Sequence, residues 1–214
     1  MECCGCDGYA TPFDRDEARR DRDRYHADGP DETTRLLLDM IGSEAAQGAT
    51  VLDIGGGIGV IDQELLRRGA SRAVLVDASP AYLDAAREEA ADAALLDRWQ
   101  IVAGDFVRHA DAVASADIVT LDRVVCCYRA VDELVPASAA HARRLYGLVL
   151  PRDRWYVRWL IRLDNVRYRF QRRAYRAYAH ANVRVDEHAR AAGLRPRSEA
   201  FTRYWRVVLY ERVD

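Results

Sequence analysis

The ten residues Thr50 to Gly59, TVLDIGGGIG, constrain this chain more than any other stretch. Val51, Leu52 and Ile54 with Asp53 read as the end of a buried parallel strand, and Gly55, Gly56, Gly57 and Gly59 predict the turn that leaves it. Lacking Cβ atoms, glycines let backbone N–H groups and the start of the following helix approach a ligand closely. Asp53 can accept hydrogen bonds from that ligand or anchor the turn. Two ligand classes fail at this point. The dinucleotide pattern G-x-G-x-x-G needs its third glycine at position 60 or 62, which are Val60 and Asp62. A phosphate loop needs a lysine after its glycines, and the chain contains none.

Strand and helix signals alternate around this turn. Residues 13–26 are densely charged with both signs, which predicts a solvated helix docked only by Phe13, Ala18 and Tyr25. Pro30 opens a second helix with Leu36, Leu37, Met40 and Ile41 as its buried side. After the glycines, Ile61, Leu65 and Leu66 mark a helix that Gly69 can cap. Residues 72–76 form a second strand ending at Asp77, followed by Ala78 and then Ser79 and Pro80 as N-cap and first helical residue. Asp77 lies 22 residues beyond Gly55, the spacing that places a carboxylate on a ribose diol in a strand-helix-strand unit. A third strand over 99–102 leads to Gly104, Asp105 and Phe106, and a fourth over 118–121 to Asp122 and Arg123. Residues 131–145 are expected to be helical with Pro136 at a start or kink, 146–150 to be the fifth strand, and 186–192 a short helix. Residues 197–200 and 204–211 predict a closing hairpin.

The pattern Asp53-x-Gly55-x-Gly57-x-Gly59 resembles the first motif of the class I S-adenosylmethionine-dependent methyltransferases, and GDF at 104–106 resembles the third. The resemblance implies a Rossmann-like α/β fold: a seven-stranded, mostly parallel sheet with an antiparallel last strand, helices on both faces, and here an N-terminal helical lid. It implies S-adenosylmethionine as cofactor, held by Asp53, Gly55, Gly57, Gly59, Asp77, Ala78, Asp105, Phe106 and Asp122. Residues 1–48 are then tail and lid, and 49–214 the cofactor-binding domain with an inserted arginine-rich helix at about 152–178. LDRVVCCY, the Tyr25 region and AYAHANVRVDEHARAAG are similar to stretches of the magnesium-protoporphyrin O-methyltransferases, a narrower resemblance. That family usually has a catalytic histidine where this chain has Cys127, before Tyr128, and an N-terminal tyrosine matched here by Tyr25.

Methyl transfer from a sulfonium is an in-line displacement that depends mainly on orientation, and a base is needed only when the acceptor must lose a proton. Tyr25, His26 and Tyr128 are the candidate catalytic groups, with Arg123, Cys127 and Tyr128 at the acceptor. All 32 basic residues are arginine, so no lysine Schiff base or lysine general base is possible. Between 151 and 178, nine arginines and two aspartates give a local charge of +7, leaving about −9 elsewhere. That balance favours a small acceptor, including a carboxylate-bearing one, over RNA as partner. An RNA-modifying enzyme, a porphyrin-type O-methyltransferase relative and a non-catalytic cofactor-binding protein are the alternatives. In the same span Trp155, Trp159, Leu163, Val166, Phe170 and Ala174 recur at steps of three and four as one apolar stripe. Five cysteines and the absence of a long apolar run lead to expectations of reduced thiols, no membrane span and a cytoplasmic location. No ordinary metal-ligand spacing is present; Cys3, Cys4 and Cys6, with Cys126 and Cys127, are the thiols a soft ion could use.

Overall fold

The first four strands of this protein are short and each ends at an acid or runs into a glycine, and the helices between them bury apolar side chains, so the elements stack in layers. The computed structural model describes residues 13–213 apart from 172 and 174. In chain order the helices are α1 (Arg15–Asp28), α2 (Glu32–Ile41), α3 (Ser43–Ala46), α4 (Val60–Arg67), α5 (Pro80–Asp92), α6 (Phe106–His109), α7 (Val131–His141), α8 (Trp155–Phe170) and α9 (Asn182–Ala191). The strands are β1 (Thr50–Ile54), β2 (Arg72–Asp77), β3 (Trp99–Ala103), β4 (Ala116–Asp122), β5 (Ala142–Pro151), β6 (Leu194–Phe201) and β7 (Trp205–Arg212). They form one sheet in the order β3-β2-β1-β4-β5-β7-β6. β1 pairs in parallel with β2 and β4, and β7 runs antiparallel to β5 and β6. The seven-stranded Rossmann-like architecture with antiparallel β7 is therefore present.

Two apolar layers sandwich the sheet. One packs Leu37, Leu38 and Ile41 of α2 with Ile61, Leu65 and Leu66 of α4 and Leu83 of α5; the other packs Leu134 and Val135 of α7 with Val185 of α9 and Tyr146 and Tyr210 of the sheet. α2, which precedes β1, thus packs within the first layer. α1 buries only Ala18 and Tyr25. These two join Ile58, Tyr82 and Ala85 in a small apolar cluster, and polar contacts add to it: Arg22 ion-pairs with Glu88, Glu89 and Asp92 of α5, and Tyr82 donates to Asp21 at 2.5 Å.

Three local expectations differ from the structure. The helix expected over 131–145 ends at His141, because Ala142 to Leu145 lengthens β5 and pairs with β4 and β7. Pro136 sits inside α7. The arginine-rich helix stops at Phe170 rather than running to 178, and residues 175–181 return as extended chain across the sheet end. There Asn165 accepts from Ala177 N and donates to Ala177 O, at 2.8 and 2.7 Å, tying the extended chain back to α8. Ala174 of the apolar stripe and Arg172 fall outside the described residues, as do Cys3, Cys4 and Cys6.

Candidate active site

The strand order reverses between β1 and β4, and a cleft of about 800 Å³ opens at their C-terminal ends, where a doubly wound sheet leaves room for a ligand. On one side lies the glycine turn. Gly55 and Gly57 have φ of +67° and +60°, and a Cβ on Gly56 would stand 2.5 Å from the Asp53 carboxylate, so the turn closes only with glycine. Gly57 N donates to Asp77 at 3.0 Å and Ser79 N at 2.7 Å, which fixes the carboxylate at the tip of β2. Gly59 does not line the cleft: with φ +79°, its missing Cβ leaves room for the Trp99 ring, and its part is helix-on-sheet packing.

Acids gather under this turn. Asp53 is buried, accepts from Thr120 Oγ1 at 2.6 Å, and is raised to about 8 by burial and by neighbouring Asp122 and Asp77. Asp62, fully buried beneath the turn, is raised by burial and by Asp53. Burial also raises Asp77, against the opposing pull of the Ser79, Gly57 and Ala78 amides. Asp122 is raised by burial while Arg123 and Thr34 oppose the shift. Several carboxylates crowded in low dielectric favour a bound cation. At the far rim Asp105 accepts from Val107 N at 3.0 Å and from Tyr128 Oη at 3.1 Å. Phe106 lines the cleft with its ring edge-on to His141.

The opposite side is built from chain outside the glycine-turn unit. Arg123 adopts φ +61°, unusual for a residue with a side chain, and is held there by ion pairs to Asp31 and Asp122. Those pairs keep its guanidinium protonated against burial. Cys126 and Cys127 stand with sulfurs 3.8 Å apart, and Cys127 Sγ lies 3.0 Å from Tyr175 Oη. The Cys126 contact, the Tyr175 hydroxyl and nearby Arg123 lower the Cys127 thiol, while the same sulfur contact and burial raise Cys126. The extended chain after α8 roofs this end: Tyr178 N donates to Cys126 O at 2.7 Å, and His180 Nε2 lies 2.8 Å from Tyr128 O. Phe13 spans the two walls, its ring edge-on to Tyr82 at 5.8 Å and to Tyr175 at 5.7 Å.

Of the sequence-predicted residues, Asp53, Gly55, Gly57, Asp77, Ala78, Asp105, Phe106, Asp122, Arg123, Cys127, Tyr128 and Tyr25 all line the cleft. Tyr25, however, donates to Glu64 at 2.8 Å and accepts from Arg67 at 2.6 Å, and burial with Glu64 pushes its phenol up to about 12. His26 faces Glu89 on α5 and is not part of the lining. Neither side chain is joined to Cys127 or Tyr128. The sequence reading missed Phe13, Thr34, Tyr82, Tyr168, Arg173 and Tyr175, all lining the cleft. Tyr175 falls off the three-and-four spacing of the preceding stripe, but Tyr178 continues it four residues after Ala174, so the spacing does not show that the chain there has left the helix.

Residues 51–146 match the family described as "Methyltransferase domain". Over this span the chain carries a class I S-adenosylmethionine-dependent methyltransferase domain. Ribosomal protein L11 methyltransferase of Yersinia pseudotuberculosis is 28% identical over 116 residues, 53% of this chain, and the chain spans only 39% of that relative's length. Magnesium protoporphyrin IX methyltransferase from Synechocystis PCC 6803, solved with bound S-adenosylhomocysteine, superposes with a TM-score of 0.74 at 20% identity over 97% of both chains. An O-methyltransferase family protein from Burkholderia thailandensis gives 0.68 at 21% identity, covering 95% of this chain and 62% of its own. These two likenesses establish the fold of the methyltransferase domain.

The cofactor of such a domain is S-adenosylmethionine, and the residues present fit it. Left-handed glycines clear the approach, the Asp77 carboxylate stands fixed at the β2 tip, and the buried acids suit a sulfonium cation. Among the described residues no group of three or more metal-ligating side chains occurs, and no helix is long and apolar enough to cross a membrane.

Proposed function

We propose that the protein transfers a methyl group from S-adenosylmethionine to a small-molecule acceptor, with carboxylate-bearing acceptors fitting best. The observation that carries this reading is the acceptor end of the cleft. It is walled by Tyr128, Tyr168 and Tyr175, roofed by the chain around Tyr178, and supplied with Arg173. A chamber of aromatic planes with a guanidinium suits a compact, partly planar anion better than a folded protein surface or a polynucleotide. In this reading Asp77 holds the ribose diol, Asp105 and Phe106 border the adenine, and the acids around Asp53 face the charged end of the cofactor. When bound, the cofactor supplies the activated methyl group.

The chain's own work is orientation and exclusion of water. Tyr128, anchored on Asp105, and Cys127, anchored on Tyr175, position the acceptor, and Arg173 pairs with its carboxylate. Arg123, already engaged by two aspartates, shapes this end. Where the acceptor must lose a proton, Tyr128 passes it to Asp105 along their hydrogen bond. α1, held by polar contacts and by a small apolar cluster of Ala18 and Tyr25 with Ile58, Tyr82 and Ala85, acts as the lid.

Incubation with methyl-labelled cofactor and a fractionated metabolite extract tests the reading. Label should enter a low-mass, acidic product. Label recovered only in protein or RNA fractions, or no transfer beyond a heat-inactivated control, would overturn it.

A further inference from the structure

Helix α8 carries two apolar faces. Val157 and Ile161 point inward and are 0% and 4% exposed. At about 100° per residue, Trp155, Trp159, Leu163, Val166 and Phe170 fall within an arc of roughly 80° on the opposite side. None of the described residues covers that arc. Trp155 is 80% exposed, Trp159 56% and Phe170 84%, with Leu163 and Val166 about half exposed. Single exposed apolar residues need no explanation, but five in one row along a 16-residue helix make a patch.

Its flanks are charged in one sense. Arg158, Arg162 and Arg169 border the stripe on one side and Arg167 on the other, all exposed, while Asp164 is the one acid within α8. Arg158 is paired with Asp153 just before the helix. An apolar row bearing tryptophan and phenylalanine, bordered by arginines, is the composition of a helix lying in a membrane interface. A second copy of this chain is disfavoured as occupant, because apposing two such stripes would bring arginine rows together. The same helix bounds the cleft: Tyr168, near its C-terminal end, lines the cleft and packs on Tyr175 with ring centroids 5.4 Å apart.

We propose that the exposed face of α8 is a docking surface for an anionic lipid bilayer, entered by Trp155, Trp159, Leu163, Val166 and Phe170 and held by the flanking arginines. Among the described residues no helix is long and apolar enough to cross the bilayer; α8 lies along it, with the acceptor wall of the cleft directly behind. The exposure and charge of this face are the same whatever the methyl acceptor is.

Flotation of the full chain with vesicles tests it. With phosphatidylcholine–phosphatidylglycerol vesicles the protein should float, at least tenfold more than with phosphatidylcholine alone, and added salt should reduce the binding. Trp159→Ser with Phe170→Ser should abolish flotation, and Arg162→Glu with Arg169→Glu should remove the preference for anionic lipid. Both pairs are exposed, so thermal melting and cofactor binding should match the parent chain. Absence of flotation with either vesicle, or flotation unaltered by both variants, would overturn the proposal. So would a dimer in sedimentation equilibrium that Trp159→Ser with Phe170→Ser dissociates, since the stripe would then be a protein contact.

Discussion

The two walls of the cleft are held by different forces. The cofactor wall is a turn and strand tips embedded in the sheet, fixed by backbone amides on Asp77 and by contacts that leave no space for a Cβ. The acceptor wall is chain outside that unit: Phe13, the residues after β4, and the return from α8, joined by a few side-chain hydrogen bonds such as Tyr175 to Cys127. The first wall has one geometry available to it, whereas the second can be rebuilt without disturbing the sheet. Changes on the first should therefore act on stability and cofactor together, and changes on the second on the acceptor alone.

The largest effect is expected at Gly59→Ala. A left-handed alanine costs about 1–2 kcal/mol, and a Cβ 1.9 Å from the buried Trp99 ring adds an overpacking cost of about 1–3 kcal/mol. Gly48→Ala has a similar φ of +68° with nothing within 4 Å and should show only the first part. Urea unfolding of the two variants isolates the Trp99 contribution; equal losses would mean that the turn is looser than its geometry implies.

Next comes Asp77→Ala, expected to weaken cofactor binding by about 1.5–3 kcal/mol, roughly 10- to 150-fold, the scale of a hydrogen bond to a charged group. Tyr175→Phe should leave that affinity alone and raise the KM of the acceptor instead. A Tyr175→Phe variant that loses cofactor affinity would erase the distinction between the walls.

A pH dependence follows from the buried acids. Because Asp53 is raised from 3.8 to about 8 in the folded state, the native protein without cofactor binds more protons than the unfolded chain between those values. Its contribution to stability is complete below about pH 4 and lost as pH rises through about 8. A sulfonium favours the ionised carboxylates, so binding of S-adenosylmethionine should release protons near neutrality and tighten as pH rises. S-adenosylhomocysteine, whose thioether sulfur carries no charge, should do so less. Calorimetry in buffers of different ionisation enthalpy measures the release, and equal release by both ligands would count against the charge argument.

Smallest is Tyr25→Phe. With its hydroxyl committed to Glu64 and Arg67, the expected cost is about 1 kcal/mol of stability with turnover unchanged. A fall in kcat at unchanged stability would instead give Tyr25 a part in the lid or the chemistry.

The same contrast governed what could be read from the residues alone. The cofactor wall was legible because glycine, acid and strand periodicity are local requirements, and Asp53, Asp77 and Asp105 fall where strand lengths put them. The acceptor wall was not, because Phe13, Tyr82 and Tyr175 meet only through tertiary packing and their spacing carries no period. Helix α8 shows a third case. Its apolar stripe was visible in the sequence, but which of two apolar faces turns inward was decided by Val157 and Ile161, a shorter pattern than the one left outside.

This cleft is expected to bind the sulfonium cofactor through its glycine turn and acids. Calorimetric titration of the full chain with S-adenosylmethionine tests it most directly, beside Asp77→Ala and Trp159→Ser. One-to-one binding that Asp77→Ala weakens at least tenfold and Trp159→Ser leaves unchanged is the predicted result. Absence of binding at high micromolar cofactor, or affinity indifferent to Asp77, would contradict it.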